Sequence, residues 1–195
     1  RAGRTTLDRC PTGASSAQRE AAAAIAAAAP VVLVVRPAGT GNTTALRPAV
    51  EQLHADGRVV FGVAPSAIAA SVLNVETGVR ADTIDKLLAE HRTGRPHPTF
   101  DLPPGATVIV DEAGMLATPK LAELAHLAEQ KRWRVALVGD PMQFSAVGRG
   151  GMFGMLVDTH GALHPSGGHE PLAAVHQLVA HLAALPVTQP QAVGE

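Results

Sequence analysis

A parallel β-sheet covered by helices on both faces is the fold class this sequence predicts, and three observations predict it. Residues 31–46 read VVLVVRPAGTGNTTAL. Five apolar residues, four of them β-branched, are followed by a turn containing Gly39 and Gly41 and then by residues that can begin a helix. Further along, short apolar runs alternate with helical stretches at the spacing of βαβ units. Two of those runs end on acidic residues, Asp111-Glu112 and Asp140, at the position where parallel sheets bind ligands.

The bulk numbers fit that class. A chain of 195 residues, 46% hydrophobic, can bury one good core. Its net charge of −1 gives no global basic field that would draw it to nucleic acid, although a local groove remains compatible with that charge. Cys10 is the single cysteine, which fits a reducing compartment. No apolar run approaches membrane length, and the expected location is cytoplasmic. The chain begins with Arg1 rather than Met, in keeping with a piece of a longer protein.

Taken in order, residues 1–14 read as a loose lead-in. Ser15 and Gln18 match the S-x-x-Q capping signal, and an alanine-rich helix runs from there until Pro30 stops it. After the first strand and its glycine turn, residues 43–53 are expected to be helical. Pro48 there removes a donor and crowds the carbonyl four residues back, at a cost on the order of 3 kcal/mol. Residues 58–64 (RVVFGVA) read as the second strand, and Pro65-Ser66 open a small-residue helix to residue 73. Asp82 is expected to cap a helix over residues 83–90. Residues 93–104 form a connection, and residues 107–110 a third strand. Thr118 followed by Pro119 starts a helix to about residue 131. Residues 134–138 are a fourth strand. The main domain is expected over residues 15–158, with residues 159–195 a divergent, partly disordered tail.

The glycine turn between a strand and a helix is the architecture of a phosphate-binding loop. Its backbone N–H groups can close on an anion, and the helix N-terminus adds positive partial charge. The loop departs from its own pattern, G-x-x-x-x-G-K-[ST]. Gly41 and Thr43 fit, but Arg36 stands at the first glycine and Asn42 at the lysine. That lysine is the point charge that meets the β- and γ-phosphates, and an amide cannot supply it.

In such a site Thr43 donates its hydroxyl to Mg²⁺, the plainer reading being a helix-cap threonine. Asp111, ending an apolar strand, can hold the water shell of Mg²⁺, and Glu112 can polarise an attacking water as a general base. The plainer reading of that pair is two solvated loop carboxylates. Gly139, Asp140 and Gln143, in VALVGDPMQF, form a third element that carries an amide toward the γ-phosphate. The histidines His160, His164, His169, His176 and His181 repeat no metal-ligand spacing and read as solvated.

The segments QREAAAAI, PAGTGNTT, FGVAPSAIAASVL, VRADTIDKLL, VIVDEAGML and LVGDPMQFSAVGRGGMF occur in the order seen in superfamily-one helicases of the RecD-like kind. The chain most resembles the helicase part of conjugative relaxases of the F-plasmid and actinobacterial mobilisation type, over roughly residues 15–155. The resemblance implies a P-loop, RecA-like fold, binding of ATP and Mg²⁺, and translocation on single-stranded DNA. It places Gln18 at the adenine-reading position. Pro37, Ala38, Gly39, Thr40, Gly41, Asn42, Thr43 and Thr44 fall in the phosphate loop. Asp111 and Glu112 fall in the Mg²⁺ and water motif, Gln143 at the γ-phosphate sensor, and Ser66 where the DNA backbone is met. For Ser66 a plain helix cap is the alternative.

The family carries Lys where this chain has Asn42, Gly where it has Arg36, and usually Leu where it has Phe144. Its ATP-completing arginine is echoed only by Gln177, and a separate second RecA-like domain is required as a partner. The expectation is therefore a truncated or degenerate ATP-binding domain that does not hydrolyse ATP alone. Two alternatives stand beside it: an active helicase-type ATPase needing further domains, and a non-enzymatic interaction module on the same scaffold. A small-molecule kinase would leave GDPMQF and APSAIAA unexplained.

Overall fold

The computed structural model describes residues 16–27, 29–35, 43–140, 154 and 157. In chain order the elements are α1 (Ser16–Ala26), β1 (Val31–Val35), α2 (Thr43–Ala55), β2 (Val60–Ala64), α3 (Ala67–Thr77), β3 (Ala81–Thr83), α4 (Ile84–Arg92), β4 (Thr107–Val110), a 3-10 turn (Ala113–Met115), α5 (Thr118–Lys131) and β5 (Arg134–Gly139). The five strands form one sheet in the order β1-β5-β4-β2-β3, and every pairing is parallel.

Strand alternation sorts the apolar residues into two layers. Val31, Leu33 and Val35 share one face with Val108, Val110, Val135 and Leu137, against Leu87 and Leu88 of α4 and Leu121 and Leu124 of α5. Val32, Val34, Ile109, Ala136 and Val138 face the other way, onto Ile25 of α1, Leu46 and Leu53 of α2, and Leu73 of α3. Burial on both faces explains why β1 reads VVLVV rather than alternating with polar residues.

The helix α2 runs through Pro48 without interruption. The missing donor faces the Thr44 carbonyl, yet Leu46, Ala49, Val50 and Leu53 are all at most 2% exposed. Packing on the sheet outweighs one lost backbone bond. Helix α3 is longer than expected, closing on Gly78 in the left-handed region (φ 73), whose N–H donates to the Asn74 carbonyl.

Two caps differ from the sequence expectation. Asp82 lies in β3, a short strand that pairs with β2, and its Oδ1 accepts from Thr83 N at 2.7 Å. Thr83 itself caps α4, its Oγ1 accepting from Lys86 N at 3.2 Å. At α5 the cap position falls on Ala117, with Thr118 and Pro119 inside the first turn.

Candidate functional site

The register brings three strand ends side by side. Val35 pairs with Gly139 and Val110 with Leu137, so β1, β5 and β4 finish in adjacent positions at the carboxyl edge of the sheet. Neighbouring strands lie about 4.8 Å apart, so the row from β1 to β4 spans roughly 10 Å, the size of a phosphate chain with its cation. Asp140 follows β5 directly and is half-buried; Asp111 follows β4 directly and is 5% exposed.

Asp111 is held from both sides. Its N–H donates to Val63 O at 2.9 Å, extending the β2–β4 ladder by one bond, and its Oδ1 accepts from Glu112 N at 2.9 Å. Glu112 then turns the chain sharply at φ 55, ψ 37, a left-handed conformation that costs a non-glycine residue about 1–2 kcal/mol. The Glu112 carbonyl accepts from Met115 N at 2.9 Å and opens the 3-10 turn. Below that turn Ala113 and Leu116, 0% and 3% exposed, plug into the core and hold the strained bend in place.

The other side of the site begins at the end of β1 and resumes at α2, which starts at Thr43 and Thr44. The first turn of a helix carries unpaired N–H groups and positive partial charge. The loop residues Arg36, Pro37, Ala38, Gly39, Thr40, Gly41 and Asn42 lie outside the described residues, as does Gln143. For Thr43, Thr44 and Gln18 the helical backbone is described but the side chains are not. Helix α1, which carries Gln18, packs beside α2 through Ala21, Ala22 and Ile25.

Ser66 is an N-cap: its Oγ accepts from Ala69 N at 3.1 Å and its backbone is extended. The alternative given to it by the sequence is thus the geometry found, at a position that stays exposed at the end of β2. The histidines between residues 160 and 181 lie outside the described residues. Among the described residues no three His, Cys, Asp or Glu side chains cluster to hold a metal on their own. The left-handed bend at Glu112 escaped sequence reasoning, since Glu carries no signal for positive φ.

Residues 13–165 match the AAA domain family. The chain is also similar to the conjugal transfer protein TraA of Rhizobium radiobacter, 32% identical over 148 residues, and equally to that of Agrobacterium fabrum. The probable conjugal transfer protein TraA of Sinorhizobium fredii is 30% identical over 147 residues. In each case the similarity covers 75% of this chain but only 13% of the relative. Among the described residues no helix is long and apolar enough to cross a membrane. A parallel sheet of the RecA-like kind, with its acidic residues gathered at the carboxyl edge, is what a P-loop domain is built on, and with more than half of its length matched this chain belongs to the AAA domain family.

Proposed function

We propose that this chain is the first RecA-like, ATP-binding domain of a helicase of the conjugative-relaxase kind, and that it does not hydrolyse ATP on its own. The observation that carries the reading is the row of strand ends, with the end of β1, Asp140 and Asp111 on three adjacent strands.

The donor chemistry of this edge suits Mg²⁺, which takes hard oxygens, one or two carboxylates and the phosphates of its nucleotide rather than an all-protein cage. In this reading Asp111 and the Thr43 hydroxyl would hold the ion, which would supply positive charge to offset that of the phosphates. The phosphate loop, residues 37–44, wraps the phosphates through its N–H groups. Gln18 reads the base, Glu112 takes the proton of the attacking water, and Asp140 and Gln143 sense the terminal phosphate. Asn42 puts a neutral amide where a cation belongs, and losing such charge stabilisation removes orders of magnitude in rate. Single-stranded DNA and a second RecA-like domain are the partners this reading requires.

Calorimetry with ATP and Mg²⁺ tests it, on the natural chain and on the double variant Asn42→Lys, Arg36→Gly. The expected result is binding with a Kd on the order of micromolar by the repaired chain and much weaker binding by the natural one. Equal binding by both would favour the alternative of an active helicase-type ATPase that needs further domains.

One observation favours the interaction-module reading. Ile68, Val72 and Val75 form an apolar stripe along α3, 79%, 46% and 76% exposed. In that reading the stripe receives the second RecA-like domain of the longer protein. A melting temperature indifferent to nucleotide in both the natural and repaired chains would support it.

A further inference from the structure

Two arginines converge at the amino end of the sheet, the edge opposite Asp111 and Asp140. Arg134 opens β5 and shares its face with Ala136 and Val138, the face covered by α1, α2 and α3. Its Nε donates to Ala29 O at 2.9 Å and its Nη1 to Thr107 Oγ1 at 3.1 Å. Arg58, just ahead of β2, donates from Nη1 to Ala27 O at 3.4 Å. Both guanidinium groups are therefore drawn to the short link between α1 and β1.

Among the described residues Arg58 and Arg134 form no ion pair. Asp56, two residues from Arg58, instead accepts the Gln52 amide at 2.7 Å. The ends of α1 and α2 lie close by, with Arg58 N bonded to Leu53 O at 2.9 Å. A helix C-terminus carries about half a negative charge, so two of them offset roughly one of the two positive charges here.

Burial first, and the charge of Arg58 second, pull the Arg134 guanidinium down to about 10. Capping carbonyls alone does not call for two cations of which, among the described residues, only about one is offset. A guanidinium presents five N–H donors in a fork that matches an oxyanion, and most of those donors remain to be used: Arg134 commits two and Arg58 one.

We propose that Arg58 and Arg134 form an oxyanion site for a phosphate group, separate from the carboxyl-edge site and independent of what binds there. Thr107 is its positioning residue, fixing the guanidinium plane of Arg134. The phosphate is either free in solution or part of a nucleic-acid backbone, which offer the same bidentate acceptor geometry.

The side-chain Nε–Hε signals of Arg58 and Arg134 report on this site alone, whatever the phosphate loop does. They are followed by NMR in the full chain while inorganic phosphate replaces chloride at constant ionic strength, and then with a short single-stranded oligonucleotide. Saturable shifts at both arginines with phosphate identify a free-oxyanion site, and shifts with the oligonucleotide only identify a backbone phosphate. Arg58→Gln, which keeps an amide donor for Ala27 O, is expected to weaken the response at Arg134 by about tenfold. Signals that follow neither ligand, or an Arg134 response unchanged by Arg58→Gln, overturn the proposal. Should that variant fail to fold, the titration of the natural chain still decides.

Discussion

The backbone N–H of Glu112 donates to Asp111 Oδ1 at 2.9 Å, so the carboxylate at the end of β4 fixes the turn that follows it. The side chain thus has a structural duty beside the Mg²⁺-holding role proposed for it. Asp111→Asn keeps an oxygen acceptor at that position but removes the charge. It is expected to change stability by less than about 1 kcal/mol and to abolish the Mg²⁺ dependence of nucleotide binding. Asp111→Ala loses the acceptor as well and should cost a further 1–2 kcal/mol or so. Urea denaturation and calorimetry with and without Mg²⁺ separate the two.

Glu112 stands in the left-handed region at φ 55, where Asn is tolerated far better than Glu. Glu112→Asn should therefore stabilise the fold by about 0.5–1 kcal/mol. A fall in the denaturation midpoint instead would show that the Glu112 side chain contributes packing that outweighs the strain.

Gly62 sits in the middle of β2 with Leu73 of α3 pressed onto it. A Cβ built there would lie 2.7 Å from Leu73 Cδ2 and 2.9 Å from Ala81 Cβ. Gly62→Ala is expected to cost about 1–3 kcal/mol by forcing α3 and β3 outward. Pairing it with Leu73→Ala should recover part of the loss in a double-mutant cycle, and strictly additive costs would argue against a clash at that contact.

Glu90 accepts from His97 N at 2.9 Å and faces Lys86 at 3.3 Å. The His97 backbone bond, ahead of Lys86, holds its pKa below the ordinary glutamate value. In the pH window between the folded and unfolded pKa values the unfolded chain binds more protons, so stability rises with pH there. The contribution is present above the unfolded pKa and is lost as pH falls through the folded one. Glu90→Gln should flatten this acid-side slope in denaturation midpoints measured across that window, with little change near neutral pH.

The parts of this fold written in strong local patterns were legible in the sequence. A run such as VVLVV can hardly be anything but a strand buried on both faces, and VIVDE announced both β4 and the acidic residues at its end. Where the expectation departed from the structure, tertiary context decided. Residues 81–83 carry no strand signature, and β3 exists because β2 offers them a free parallel edge. That pairing draws Asp82 into the sheet and hands the cap of α4 to Thr83. Pro48 looked like a helix breaker, but the burial of its neighbours keeps α2 intact. The positive φ of Glu112 and the meeting of Arg58 with Arg134 arise from residues distant in sequence, and no local pattern encodes either. For the candidate site, the positions of Asp111 and Asp140 were readable because a parallel sheet sends its strand ends to one edge.

The pairing of β1 with β5 sets the timetable of folding. Val31 finds its partner Val135 more than a hundred residues later, and among the described residues β1 has no other strand beside it. During synthesis the apolar VVLVV segment leaves the ribosome early and waits for most of the domain to follow. Such non-local closure is slow, and a waiting apolar strand is open to pairing with other chains. A chain interrupted before Arg134 would still contain the first strand, yet lack the neighbour that seats it in the sheet. The carboxyl edge that carries Asp111 and Asp140 can therefore be assembled only near the end of this domain's synthesis, however early its first residues are made.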